Sequence, residues 1–164
     1  MSILVTICIP TYNRCDFLGR AIRSVINQSF DRNKYEIIVV DDGSSDRTDL
    51  ILKTFEKDIK IIKNNKKLGL SKSLNKAILK ANGKYFLRLD SDDYVNEEYV
   101  NFLYMTIDQN KELFDAVKCD YYKMNDKEVI IKRCDSEKEP IGCGIIFKID
   151  DLIKIGMYSG KKKI

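Results

Sequence analysis

Tyr85-Phe86-Leu87-Arg88-Leu89 runs directly into Asp90-Ser91-Asp92-Asp93. A short apolar, aromatic-rich run of this kind reads as a strand buried in a sheet, and three carboxylates are released where it ends. Like charges so close together repel, and they gather at a strand terminus when a cation or a ligand hydroxyl compensates them. A divalent-cation site is therefore the leading idea. A second acidic pair is placed in the same way, because Ile37-Ile38-Val39-Val40 ends in Asp41-Asp42 and continues as Gly43-Ser44-Ser45-Asp46.

Working outward, strands and helices alternate. Val5-Thr6-Ile7-Cys8-Ile9, closed by Pro10, reads as a first buried strand. From Asp16 to Gln28, Phe17, Leu18, Ala21, Ile22, Val25 and Ile26 recur at helical spacing, with Asp16 as the expected N-cap. Asp46 is expected to cap a helix carrying Leu50, Ile51 and Phe55, followed by a strand over Ile59–Ile62. A third helix after Gly69 places Leu70, Leu74, Ala77, Ile78 and Ala81 on one face and is expected to close at Asn82-Gly83. Such alternation predicts an α/β fold: a mostly parallel, Rossmann-like sheet flanked by helices, with ligands bound beyond the carboxyl ends of its strands. After Asp93 the pattern becomes mixed. A helix spans Glu97–Gln109, and Ala116–Met124 and Val129–Arg133 are expected as strands joined by Asn125-Asp126. A further strand covers Gly142–Ile149, and Asp150 and Asp151 cap a short helix ending at Ile155.

Composition narrows the chemistry. A chain of 164 residues is the length of one domain, and at this size about 68–70% of the unfolded surface is buried on folding. Histidine is absent, which removes His-based triads, His-ligated zinc and the commonest general base. The five cysteines, Cys8, Cys15, Cys119, Cys134 and Cys143, form no CxxC pair, and their odd count and irregular spacing fit a reducing cytoplasm better than a disulfide framework. The net charge of +4 is spread along the chain and gives nucleic-acid binding little support. No apolar run approaches the roughly 18 residues of a membrane span. Lys161-Lys162-Lys163 reads as a solvated tail, with peripheral contact at the inner face of a membrane as the functional alternative.

Four segments together resemble the nucleotide-binding half of family 2 glycosyltransferases, which have the GT-A fold. They are Val5-Thr6-Ile7-Cys8-Ile9-Pro10-Thr11-Tyr12-Asn13-Arg14, Val39-Val40-Asp41-Asp42-Gly43-Ser44-Ser45-Asp46, Gly69-Leu70-Ser71 with Asn75, and Asp90-Ser91-Asp92-Asp93. Each motif alone is weak, but the four stand in the family's order and spacing. The resemblance implies a nucleoside-diphosphate sugar, a UDP-sugar by analogy, as donor and Mg²⁺ or Mn²⁺ as cofactor. It places Pro10, Tyr12, Asn13 and Asp41 around the nucleotide, with Tyr12 stacking on the base and Asp42 accepting from the uracil ring. Asp90 or Asp92 would meet the ribose, with Ser91 also in the nucleotide-sugar site. Asp92 and Asp93 would hold the metal, and one of the two also reads as the cap of the following helix. Gly69 and Ser71 open a helix whose N–H groups attract phosphate or ribose oxygens. Many relatives carry an arginine where this chain has Leu74, so a donor-side cation would come from Lys66, Lys67 or Lys72. On its own, Tyr12 reads equally as a core-capping tyrosine and each lysine as solvated surface.

The acceptor implied by the resemblance is a saccharide or lipid-linked chain in cell-surface polysaccharide synthesis. Inverting transfer needs a base for the acceptor hydroxyl. Relatives supply an aspartate, often in a Glu-Asp pair, beyond the segment resembling Gly142-Cys143-Gly144 and Gly156-Met157-Tyr158, so the base is expected beyond Ile164. Glu137 and Glu139 lie in a polar loop that nothing in the sequence singles out. The expectation is a single GT-A domain, with residues 1–95 as the nucleotide-sugar and metal part and 96–164 as a truncated acceptor-side part. Apolar surface left by missing substructure would favour a homodimer. A nucleotide-sugar-binding module without turnover is the alternative. A phosphoacceptor receiver domain needs its acidic pair near the first strand, and a nucleotidyltransferase needs a glycine-rich loop where this chain has Pro10-Thr11-Tyr12-Asn13-Arg14.

Overall fold

The computed structural model describes residues 2–160. Its centre is a six-stranded sheet in the order β3-β2-β1-β4-β8-β5, formed by β1 (Val5–Thr11), β2 (Tyr35–Asp41), β3 (Lys60–Lys63), β4 (Tyr85–Arg88), β5 (Ala116–Lys118) and β8 (Ile145–Lys148). The first four strands are parallel, and β8 enters antiparallel between β4 and β5. A separate two-stranded ribbon joins β6 (Tyr121–Met124) to β7 (Ile130–Cys134).

Strand alternation sorts the core into two layers. Val5, Ile7 and Ile9 of β1, with Ile37, Val39, Tyr85 and Leu87, face α1 (Cys15–Ile26) and α4 (Tyr99–Gln109). Cys8, Ile38, Val40 and Phe86 face the opposite side, against α3 (Leu70–Ile78) and Leu152 of α5 (Ile149–Lys154). In α1 the fully buried Leu18, Ala21, Ile22 and Val25 recur at the three- and four-residue steps of a single helical stripe. Each buried Leu, Ile or Val contributes about 1.5–3 kcal/mol of apolar transfer. The central strands are therefore firmly seated, and so is the rim on which the acidic turns stand.

Several local expectations are corrected. Asp16 lies inside the first turn of α1, whose start is instead tied down by Asp46, accepting the Cys15 N–H at 3.0 Å. The other Asp46 oxygen accepts the N–H of Thr48, at the start of α2 (Thr48–Thr54), so one carboxylate serves two helices. The helix α3 stops at Ile78, short of Asn82-Gly83. Asn82 is held by Glu36, and a Cβ on Gly83 would lie 2.6 Å from Thr6 N, so this glycine permits close backbone approach rather than a helix cap. The run Ala116–Met124 is not one strand. It breaks at Cys119-Asp120, where Cys119 N–H donates to Gly144 O and Asp120 accepts from Ser136 N–H and Arg133. Its first part stays on the main sheet, and its second part leaves as the ribbon. Asp150 and Asp151 sit within the first turn of α5, after Lys148 as its N-cap.

Candidate functional site

The parallel strands β1, β2 and β4 release the chain on one rim, with β1 in the middle. At about 4.8 Å per strand spacing, the ends of β2 and β4 stand about 10 Å apart. Both acidic turns are therefore on one edge, on either side of Tyr12, Asn13 and Arg14.

On the β2 side the groups are tied into a clamp. Asp42 donates its N–H to Thr11 O at 2.9 Å. The residue is only 5% exposed, and its carboxylate accepts from Asn64 Nδ2, Leu68 N–H and Gly69 N–H, each at 2.8 Å. Desolvation opposes its charge, but these donors together outweigh it and hold the Asp42 carboxyl below the ordinary range. Asp41 accepts the Ser44 N–H at 2.9 Å. Gly43 is at φ 80°, and a Cβ there would stand 2.7 Å from Lys66 C, so the glycine brings the two loops into backbone contact. Asn13, at φ 51°, donates its N–H to Ser44 Oγ and accepts the Ser45 N–H through its side chain. Pro10 is buried in β1 opposite Val40. Tyr12 is partly open, and Lys67 places its ammonium 3.8 Å from the ring centroid. Of the three lysines considered for the donor side, Lys67 is thus the one brought to Tyr12.

Gly69, at φ 93°, turns the chain into α3 with open space beside it. Ser71 Oγ donates to Ser159 O at 3.1 Å, and Asn75 exchanges two hydrogen bonds with the Tyr158 backbone. The face of α3 expected to meet a ligand is in contact with the chain's own last described residues. Lys72 is exposed on the same helix.

The β4 side is built differently. Asp93 N–H donates to Asp90 O at 3.0 Å, closing the acidic turn, with Ser91 buried inside it. Asp90 accepts a bidentate pair from Arg88 Nε and Nη2 at 2.7 and 2.9 Å. Asp92 is exposed, 3.7 Å from Arg14 Nε, and its carbonyl accepts from Arg20 Nη2 at 3.0 Å. Arg20 also stacks on Tyr94 and pairs with Glu128 at the ribbon tip, so one guanidinium joins α1, the acidic turn and the ribbon. Neither Asp92 nor Asp93 caps α4. The N–H of Glu98, its N-cap, goes to Asn96 Oδ1 instead.

Asp93 Oδ2 faces Cys143 Sγ at 3.4 Å, and donor atoms from Asp90, Asp93 and Cys143 lie within 4.8 Å of one another. Desolvation pushes the Asp93 carboxyl up, and the Asp90 and Asp92 charges add to it against the Cys143 hydrogen bond and the Arg20 charge. Burial pushes the Cys143 thiol up to about 12, with Asp90 and Asp93 reinforcing it. Arg88 pairs with Asp90 and Arg14 stands beside Asp92, whereas among the described residues Asp93 has no cation within ion-pair distance. Carboxylate oxygens gathered at one turn are the donor type that fits a hard divalent cation. Neither Cys143 nor the linking Arg20 and Arg88 was singled out from the sequence as part of the site. The glycines on both sides of Cys143 were the available signal, since paired glycines mark close backbone approach.

The family described as "Glycosyl transferase family 2" matches residues 6–161, nearly the whole chain. The chain belongs to glycosyltransferase family 2. Among curated relatives, "Glycosyltransferase GlyA" of Streptococcus pneumoniae is 33% identical over 126 residues, covering 76% of this chain and 18% of GlyA. "Glycosyltransferase GlyG" of the same organism is 30% identical over 131 residues, 78% of this chain and 42% of GlyG. The chain thus spans less than half the length of these two relatives. Among solved structures, Staphylococcus aureus TarS 1–349 in complex with UDP superposes with a TM-score of 0.81 at 22% identity, over 95% of this chain and 50% of that one. The mannosyltransferase PcManGT from Pyrobaculum calidifontis, in complex with GDP-Man and Mn²⁺, gives 0.78 at 20% identity, over 97% and 48%. At these identities the likeness establishes the fold, and the GT-A architecture expected from the sequence is borne out. Among the described residues no helix is long and apolar enough to cross a membrane. Lys161–Lys163, the segment considered for membrane contact, lie outside the described residues.

Proposed function

We propose that this chain is the donor-binding part of a metal-dependent, inverting glycosyltransferase that moves a sugar from a nucleoside-diphosphate sugar to a saccharide or lipid-linked acceptor in cell-surface polysaccharide synthesis. The observation that carries this reading is the opposition of the two acidic turns across the end of β1. The nucleoside lies on the β2 side, against Pro10, Tyr12 and Asn13, with Asp41 and Asp42 shaping the pocket floor. The ring of Tyr12 offers a stacking face and Lys67 a cation beside it. Asp42 has three donors on two oxygens, which leaves acceptor capacity for the imide N–H of a uracil. Gly69, Ser71 and Lys72 border the phosphates at the start of α3.

The ribose would meet Asp90 or Asp92, with Ser91 beside them, and Asp92 and Asp93 would hold the divalent cation. When bound, the cation neutralises charge growing on the departing diphosphate. UDP is favoured as the nucleotide because TarS was solved with it, and Mn²⁺ or Mg²⁺ as the ion because PcManGT was solved with Mn²⁺. Residues 1–95 form the nucleotide-sugar part and 96–164 the acceptor-side part.

Calorimetry of the purified chain with UDP tests this directly. Binding should weaken at least tenfold when Mn²⁺ is withheld, and Asp92→Ala should remove the metal-dependent gain. UDP affinity indifferent to Mn²⁺ and Mg²⁺ would overturn the assignment.

A further inference from the structure

The residues after β1 and the loop between β3 and α3 are fastened to one and the same turn. A Cβ on Gly43 would stand 2.7 Å from Lys66 C and 3.0 Å from Lys67 N, and Asp42 holds the next two N–H groups, those of Leu68 and Gly69. On its other side the turn holds Thr11 O through the Asp42 N–H, and Asn13 donates its N–H to Ser44 Oγ. The backbones at Tyr12 and Lys67 are thus fixed relative to each other, with Asp42 and Gly43 joining them.

Across this gap Lys67 lays its ammonium 3.8 Å from the centroid of the Tyr12 ring. The covered ring face is the one turned toward the loop that Asp42 holds. Lys67 is exposed, and among the described residues no carboxylate stands within ion-pair distance of its ammonium. An ammonium over an exposed aromatic ring is worth about two- to fivefold in an equilibrium. A charge-assisted hydrogen bond to a phosphate oxygen is worth about tenfold or more. The ring therefore positions Lys67 without holding it against an anion.

We propose that Lys67 is a donor-binding residue with two partners: a nucleobase stacking on Tyr12 takes the ring face that Lys67 covers, and the displaced ammonium binds the diphosphate oxygens at the start of α3. This rests on the assignment of Tyr12 to the nucleobase and of Gly69 and Ser71 to the phosphates. Gly69 is two residues further along the same pinned loop, so the flexible four-carbon stem of Lys67 turns from the ring to the start of α3 with the backbone in place. Base stacking and phosphate binding then depend on each other. A nucleoside alone displaces the cation and offers it no anion, whereas a nucleoside diphosphate gives the cation a stronger partner than the one it loses.

Uridine and UDP are titrated into the purified chain at one fixed Mn²⁺ concentration, and the ratio of their dissociation constants is the reading. In Lys67→Met the advantage of UDP over uridine should shrink at least about tenfold. The loss should fall on UDP alone, with uridine bound as tightly as by wild type or up to about fivefold tighter. Lys67→Arg keeps a cation that both stacks and binds phosphate, and should hold the ratio within about threefold of wild type. Lys53→Met removes the same charge from an exposed position on α2 and should leave the ratio unchanged. In wild type, acetylation of Lys67 followed by mass spectrometry should speed up with uridine and slow down with UDP. Slowing by both ligands, an unchanged ratio in Lys67→Met, or equal weakening of uridine and UDP overturns the proposal and leaves the donor assignment standing. Wild type that binds no UDP overturns the donor assignment and this proposal with it.

Discussion

Asp42 and Asp93 each stand just past the end of a parallel strand on one rim, yet their surroundings are opposite in kind. Asp42 is met by two backbone N–H groups and an amide, all from the segment between β3 and α3. Asp93 is met by a thiol and by two more carboxylates of its own turn. The first charge is satisfied by the fold and serves to hold loops in place. The second receives, among the described residues, only the Cys143 thiol as a donor. Acidic motifs that look alike in sequence thus differ in which donors the fold delivers to them.

The widest separation between the two should come from truncating Asp42. Asp42→Ala leaves the N–H groups of Leu68 and Gly69 and the Asn64 amide without their acceptor, and should cost about 2–4 kcal/mol in urea denaturation. A loss below about 1 kcal/mol would mean the clamp is dispensable and the contrast false. Acid titration offers the next test, because the two groups work in opposite directions. The folded value of Asp42 is depressed, so its stabilisation is present above the unfolded value of about 4 and disappears as pH falls through the folded one. The folded value of Asp93 is raised, so its contribution is present below about pH 4 and lost as pH rises through the folded one. Stability of Asp42→Asn should therefore fall less steeply than wild type below about pH 4, whereas Asp93→Asn should fall at least as steeply.

At neutral pH and without metal, Asp93→Asn should raise the melting midpoint by about 1–3 °C, since it removes a charge that the turn does not balance. A fall in the midpoint would show that the carboxylate is as well satisfied as Asp42. The smallest effect is expected at the bridge between the regions. Arg20→Ala removes an exposed ion pair to Glu128 and should cost less than about 1 kcal/mol. It should still speed amide exchange in the ribbon tip and the acidic turn together, because the same guanidinium holds the Asp92 carbonyl.

The order of strands and helices through β4 was legible because each element carries its own period and ends on a residue that cannot continue it. Ile37–Val40 and Tyr85–Leu89 announce themselves as buried strands, and the acids after them mark the rim. The break at Cys119-Asp120 was not legible. The residues that decide it, Gly144 and Ser136, lie 25 and 16 positions further along the chain. Local periodicity carries no trace of them. The end of α3 was misplaced for a related reason: Asn82-Gly83 looks like a cap by composition, but Glu36 and Thr6 hold it from two strands of the sheet. The approach of Cys143 to Asp93 spans 50 positions, and a lone cysteine between glycines does not declare its partner.

β8 reaches β4 from roughly 60 residues further along and lies inside the sheet rather than at its margin. During synthesis the strands β1 to β4 can pair and pack while β8 is still within the ribosome, so a nascent chain has the rim that carries both acidic turns before the wall beside the second of them exists. Closure of that wall is a late, long-range event. A nascent chain arrested before β8 would present the open edge of β4 to solvent, a template for strand addition by another polypeptide.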